Sequence, residues 1–380
     1  GNTLIKRTFE KLGIETSLLG FGCMRFPTTP DGKINEEETE KLLTYAMDHG
    51  VNYIDTAYPY HNGESEPFVG RVLKKRERES FYLATKLPCW EVHKKEDALR
   101  IFESQLERLQ VDYVDFYLLH ALGRGHFRRM VELGVLDACI DLQKQGKIKN
   151  FGFSFHDDYE AFEEILSYRN WDFCQIQFNY MDTEEQAGMK GYELAKEKGV
   201  PLIVMEPVKG GSLANLPEDI ETIFREKDLE LSNAGWALKF VGSFDNVKVI
   251  LSGMSDFSQV KDNVKIFKNF HPLDESEKKT ISNVAAALKA RVQNGCTGCR
   301  YCMPCPAGVD IPKNFHVWNQ YHIYKNKGQL SWSWKQDFAD ETKAKNCVEC
   351  GTCETVCPQK IEIRRDLKRV QKDLDEAMAE

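Results

Sequence analysis

Val114-Asp115-Phe116-Tyr117-Leu118-Leu119-His120 leads into a helical stretch over 130–145, and then into Ile148-Lys149-Asn150-Phe151-Gly152-Phe153-Ser154. Each flanking run is rich in β-branched and aromatic residues, and most of its positions are apolar on both faces. That is how a strand of a fully covered parallel sheet reads, and the stretch between two such strands is their crossover helix. Outward from this unit, strand-like runs recur at 17–24, 52–57, 81–87, 173–179, 201–206 and 247–252. Helical patterns fill the gaps at 36–49, 96–109, 158–167, 184–198, 232–241 and 257–270. Eight strands, each followed by a helix, predict an α/β fold closed as a (β/α)8 TIM barrel. An open doubly wound sheet would place Gly-x-Gly-x-x-Gly after its first strand, and none stands there. A further helix over 274–293, with Val284-Ala285-Ala286-Ala287-Leu288 facing the barrel, ends this segment. The predicted division is a barrel over 1–292 and a small helical domain over 293–380.

The second domain is read from its cysteines. Cys296, Cys299, Cys302 and Cys305 follow one another at x2 spacings, with Pro306 next; Cys347, Cys350, Cys353 and Cys357 repeat the pattern, with Pro358 next. Three close cysteines, a fourth followed by proline, and a second copy of the whole form the ligand pattern of a ferredoxin-like domain with two 4Fe-4S clusters. In such pairs the fourth cysteine of each run serves the other cluster. The expected sets are Cys296, Cys299, Cys302 with Cys357, and Cys347, Cys350, Cys353 with Cys305. Structural zinc takes separated cysteine pairs, and disulfides need an oxidising compartment. The x2 gap before Cys305 is one residue shorter than the usual ferredoxin spacing. Between the runs lie Phe315, Trp318, Tyr321, Trp332, Trp334 and Phe338, read as inserted helices whose aromatics form the core of the small domain. The stretch 364–380 reads as an exposed helix of mixed charge.

Composition narrows the class. A net charge of -8 over 380 residues disfavours nucleic acid and anionic membranes as partners. No apolar stretch approaches the ~20 residues that span a bilayer. The first residues lack a signal-peptide layout, and Cys23, Cys89, Cys139 and Cys174 read as buried free thiols. A reducing, cytoplasmic setting is expected.

Barrel enzymes carry their chemistry at the C-terminal strand ends. The second strand ends in Asp55, with Tyr60 in its loop; the third ends in Lys86 and the fourth in His120. Neighbouring strands bring the four to one point. A tyrosine with an ordinary pKa of ~10 is a poor acid near neutrality, and an adjacent ammonium lowers it. With Asp55 holding Lys86 and His120 orienting a carbonyl, Tyr60 becomes a general acid.

In these four residues the barrel resembles the aldo-keto reductase family, over about 2–272. The resemblance implies carbonyl–alcohol interconversion with NADP or NAD, on a small carbonyl or alcohol substrate. It places the nicotinamide carboxamide on Ser154 and Gln175 and the ring against Met205, where the family has a stacking aromatic. The asparagine that follows this serine in the family is Phe155 here. Gly253, Met254, Gln259 and Asn263 are implied as the adenosine pocket, with Lys261 the nearest cation, which leaves NADP and NAD both open. Gly210-Gly211 falls where a loop approaches a pyrophosphate, and His61, His126 and His156 are read as satisfied surface histidines.

Hydride transfer moves two electrons, whereas clusters move one. The clusters are therefore expected to be structural or sensing, or to exchange electrons with the barrel through a flavin in its mouth or with a redox partner protein. An electron carrier or redox sensor with a silent barrel is the rival reading.

Overall fold

The computed structural model describes residues 3–380. Ten strands form: β1 Lys6–Phe9, β2 Ile14–Ser17, β3 Leu19–Gly22, β4 Tyr53–Asp55, β5 Tyr82–Leu87, β6 Val114–Leu122, β7 Ile148–Phe155, β8 Cys174–Gln177, β9 Leu202–Met205 and β10 Val247–Ser252. Strands β3 to β10 make a closed parallel barrel in which β10 pairs back onto β3. This is the eight-stranded barrel the periodicity predicts. Strands β1 and β2 were not anticipated: they are an antiparallel hairpin of four residues each, too short and too polar to read as sheet. The last residue of β1, Phe9, enters the barrel core with Tyr53, Ala84, Phe116, Leu118, Phe173, Ile203, Val249 and Leu251. Its ring stands 5.6 Å from that of Phe116. The hairpin therefore closes the barrel at the end opposite the strand C-termini.

The helical stretch expected over 130–145 is two helices, Arg124–Glu132 and Val135–Lys144. Gly134 separates them at φ +76, a left-handed conformation that costs glycine nothing and that a side chain rarely adopts. Helices Ser65–Leu73 and Glu218–Lys227 add to those the periodicity predicts. By internal contacts the first compact unit runs to Gly210 and resumes over Ala234–Glu275; the second comprises Gly211–Asn233 and Ser276–Glu380. The 292/293 boundary expected from sequence thus differs from this division, which puts most of helix Glu275–Lys289 and an excursion over Gly211–Asn233 in the second unit.

That second unit has its own core of Val309, Ile311, Phe315, Val317, Trp318, Leu330, Trp334, Phe338, Ala344 and five residues of helix Ile363–Ala379. Of the aromatics between the cysteine runs, Phe315, Trp318, Trp334 and Phe338 are core as expected, Tyr321 is half-buried against it, and Trp332 is exposed. The C-terminal helix is not simply exposed. Ile363, Leu367, Val370, Leu374 and Ala377 recur at helical spacing and are buried, so one face belongs to the core. No helix among the described residues is long and apolar enough to cross a membrane.

Candidate functional site

Asp55 is the last residue of β4, Lys86 the fifth of β5, and His120 lies in β6; Tyr60 opens a short turn after β4. Parallel pairing of β4 with β5 and of β5 with β6 sets these strand ends side by side. Lys86 is completely buried, and its Nζ donates to Asp55 Oδ1 at 2.8 Å and to the Thr56 carbonyl at 2.8 Å. Its third bond goes to Tyr60 Oη at 3.2 Å. All three ammonium donors are thereby satisfied, as a buried charge requires. The His120 ring meets the Tyr60 ring edge-on, with centroids 6.1 Å apart, and Trp90 stands 5.2 Å from His120 on another side.

Electrostatics assign the protons. Burial pulls the Lys86 ammonium down, but Asp55 and Tyr60 outweigh it, and the net shift is upward, so the lysine stays charged. Burial keeps His120 neutral, well below the ordinary histidine range, and the Lys86 charge adds to this. Its Nδ1 is buried with no protein partner. The expectation for Tyr60 needs correcting: burial raises the phenol above its ordinary value, and the opposing pull of Lys86 does not reverse that. In this state the phenol is firmly protonated.

Along the neighbouring strands, Ser154 in β7 pairs in register with Gln175 in β8. Ser154 Oγ accepts from the Ala121 amide at 2.8 Å. Gln175 Nε2 reaches Met205 Sδ at 3.5 Å, while its Oε1 is buried without a partner. These three predicted residues are therefore brought together. Phe155 turns away and packs 5.1 Å from Phe162. Past β10, Met254 is buried and Gly253 is exposed, with the Arg25 side chain 3.2 Å from where a Cβ would stand. Gln259 Oε1 accepts from the Ser255 amide at 2.7 Å, and buried Asn263 donates to Ser252 Oγ at 2.6 Å. Both side chains thus have intramolecular roles. Lys261 lies over the Phe257 ring. Of the histidines, His61 accepts from the Phe26 amide at 3.1 Å and stacks on that ring. His156, by contrast, is an electrostatic neighbour of His120 and Glu206.

Sequence reading missed Arg25, whose guanidinium pairs with Glu206 at 3.2 Å and whose carbonyl accepts from Ser255 Oγ at 2.6 Å. Only its place three residues past β3 could have marked it. Also missed is the buried Glu66, which accepts from Thr85 Oγ1, Gln105 Nε2 and Arg108, while Gln105 also donates to the Lys86 carbonyl at 2.7 Å. This network fixes the backbone that carries the lysine.

In the second unit, a cavity of about 200 Å³ is lined by Cys305, Cys347, Cys350 and Cys353, together with Cys302, Thr352 and Arg364. Cys296 and Cys302 have Cys299 and Cys357 as electrostatic neighbours. Backbone geometry repeats between the runs: Gly298 and Arg300 have φ +72 and +66, and Glu349 and Gly351 at the matching positions have +59 and +78. Left-handed residues alternating this way turn successive N–H groups toward one side, the concavity that iron-sulfur sites use. The Glu349 amide donates to Cys347 Sγ at 3.3 Å. Burial raises the Cys296 and Cys302 thiols, and burial with Glu354 pushes Cys353 up to about 11; bonds from Thr352 lower Cys350. Among the described residues, no three His, Cys, Asp or Glu side chains are arranged to hold a metal ion, as a mononuclear zinc site would need. Cys23, Cys89, Cys139 and Cys174 are buried free thiols, as expected.

The family model "Aldo/keto reductase family" matches residues 18–286. The chain belongs to that family. A second model, "4Fe-4S dicluster domain", matches 295–362, so a dicluster domain follows the aldo/keto reductase barrel. The Glycine max protein "Probable aldo-keto reductase 1" is 29% identical over 158 residues, 37% of this chain but only 42% of the relative's length. "L-galactose dehydrogenase" from Arabidopsis thaliana is 25% identical over 304 residues, covering 74% of this chain and 94% of its own. Among solved structures, the holo form of an aldo-keto reductase from Bacillus halodurans superposes with a TM-score of 0.63 at 27% identity, over 74% of this chain and 96% of that one. As a family member this chain is an oxidoreductase, and its second domain is of an iron-sulfur type.

Proposed function

We propose that the barrel interconverts a small carbonyl compound and its alcohol with NADPH or NADH, and that the C-terminal domain holds two 4Fe-4S clusters. The observation that carries the first part is the Lys86 ammonium, buried and bonded at once to Asp55, Thr56 and Tyr60. Taking a charge out of water costs free energy, and its placement against the Tyr60 hydroxyl is what a proton-donating site requires. Bound nicotinamide supplies a hydride. Ser154, Gln175 and Met205 would hold it, and the partnerless buried Gln175 Oε1 fits a carboxamide donor. Gly253, Met254 and Gln259, with Arg25 nearby, would receive the adenosine end. No described residue singles out a flavin over a nicotinamide.

The residues divide the work on the substrate. Neutral His120 orients the carbonyl oxygen by a hydrogen bond. Tyr60 Oη gives its proton to that oxygen, and the phenolate left behind sits 3.2 Å from the Lys86 ammonium. Asp55 keeps the ammonium in place throughout. In the alcohol direction the same phenolate takes the proton back. A dehydrogenase among the relatives fits a reversible reaction.

For the clusters, the support is the cavity that gathers Cys305 with Cys347, Cys350 and Cys353. The other set is Cys296, Cys299, Cys302 and Cys357. The clusters supply one-electron chemistry when bound, to a redox partner protein or as a sensor of oxidation.

Titrating the cluster-loaded protein with NADPH and with NADH, followed by fluorescence, tests the barrel reading. Saturable binding of either, with carbonyl turnover lost in Tyr60→Phe, is the expected result. Absence of binding at millimolar cofactor, or full turnover in Tyr60→Phe, rejects it.

A further inference from the structure

We propose that Arg364 and Thr352 make the cluster held by Cys305, Cys347, Cys350 and Cys353 the higher-potential member of the pair. The inference rests on the cluster assignment above.

The two cysteine runs are near-copies in backbone, yet their surroundings differ. Arg364 lines the cavity of the second set, and its guanidinium lies against Gly351, where a Cβ would stand 3.2 Å from Cζ. Glu354, one residue past Cys353, forms an ion pair with Arg364 and holds it on the cavity wall. Thr352, two residues past Cys350, lines the same cavity. At the matching place in the first run stands Tyr301, whose side chain is exposed. Where the second run has Arg364 two helical residues after its Cys-Pro loop, the first has Pro312, which has neither charge nor N–H donor. The first set does have Arg300, paired with Asp310 at 3.3 Å, but it is Arg364 and not Arg300 that lines the cavity.

A reduced cluster carries one more negative charge than an oxidised one. Donors aimed at its sulfurs and a cation on its wall therefore favour reduction. Glu354, a neighbour of Cys353, opposes this in part, but Arg364 lines the cavity itself and Glu354 does not. An electron entering the domain would come to rest on the second cluster.

The test is a reductive titration of the iron-loaded full chain with dithionite, following each cluster by electron paramagnetic resonance. Two clusters of different midpoint potential are expected. Arg364→Gln and the near-isosteric Thr352→Val should each lower the higher potential and leave the lower one in place; Glu354→Gln should raise the higher one. Wild-type protein that holds fewer than two clusters sinks the cluster assignment itself. Two clusters whose higher potential is unmoved by both Arg364→Gln and Thr352→Val, or a shift confined to the lower one, overturns this inference alone. The Thr352 variant decides the matter if Arg364→Gln loses its iron.

Discussion

In the proposed reaction Tyr60 needs a proton to give, and its surroundings leave it one. Burial lifts the phenol above its ordinary 10.0, against the pull of Lys86. Carbonyl reduction should therefore run at constant kcat through neutral pH and decline only in the alkaline range, whereas alcohol oxidation should rise there. Profiles of kcat against pH in both directions check this, and a reduction rate that already falls near neutrality contradicts it. Tyr60→Phe should cost about 10²–10⁴-fold in kcat, the usual share of a general acid, with cofactor binding intact. His120 makes a separate prediction about stability. Its folded pKa lies below 6.5, first through burial and then through Lys86. The unfolded chain thus binds a proton that the folded one refuses, and stability present above 6.5 is lost as pH falls below it. Urea midpoints at neutral and mildly acid pH should differ less in His120→Gln than in the parent. Asp55, Lys86 and His120 were legible in sequence because each stands at or near the end of an otherwise apolar strand, and Tyr60 because it follows in the loop after Asp55. Arg25 and Glu66 were not, because their partners lie on other elements: Glu206 for the first, and Thr85, Gln105 and Arg108 for the second.

Among the elements, helix Ile363–Ala379 departs most from its sequence reading. Its charges suggested a solvated tail, yet Leu367, Val370 and Leu374 are buried in the core of the small domain. The apolar spacing was visible, but nothing local says what covers it. Leu367→Ala should cost about 2–5 kcal/mol, the range for a buried leucine. Denaturant unfolding of the cluster-loaded protein, followed through its visible absorption, measures that loss. An unchanged midpoint would mean the helix is not part of the core. The break at Gly134 was hidden for a different reason. Hydrophobic period continues through Leu133 and Val135, and only the backbone conformation shows that the chain turns there.

For the whole molecule, eight strand–helix units were enough to predict the barrel, since closure follows from covered parallel strands. The contact boundary was not readable, because the excursion Gly211–Asn233 joins the second unit across a long sequence gap. Cysteine spacing gave the expected thiol sets, and a paired substitution tests whether the runs exchange their fourth ligand. If Cys305 serves the second run's cluster, the double variant Cys305→Ser/Cys350→Ser loses one cluster and keeps the other. Ligation within each run would instead remove both. Iron and sulfide content, with the resonance spectrum, distinguishes the outcomes.

The hairpin of β1 and β2, with Phe9 set into the barrel floor, leaves the strand C-termini as the end at which reactants meet. If one of two reactants lies beneath the other at that end, they cannot come and go independently. Whichever settles deeper must arrive first and depart last, so turnover is expected to follow a fixed sequence of arrivals, visible as competitive product inhibition toward only one of the two reactants.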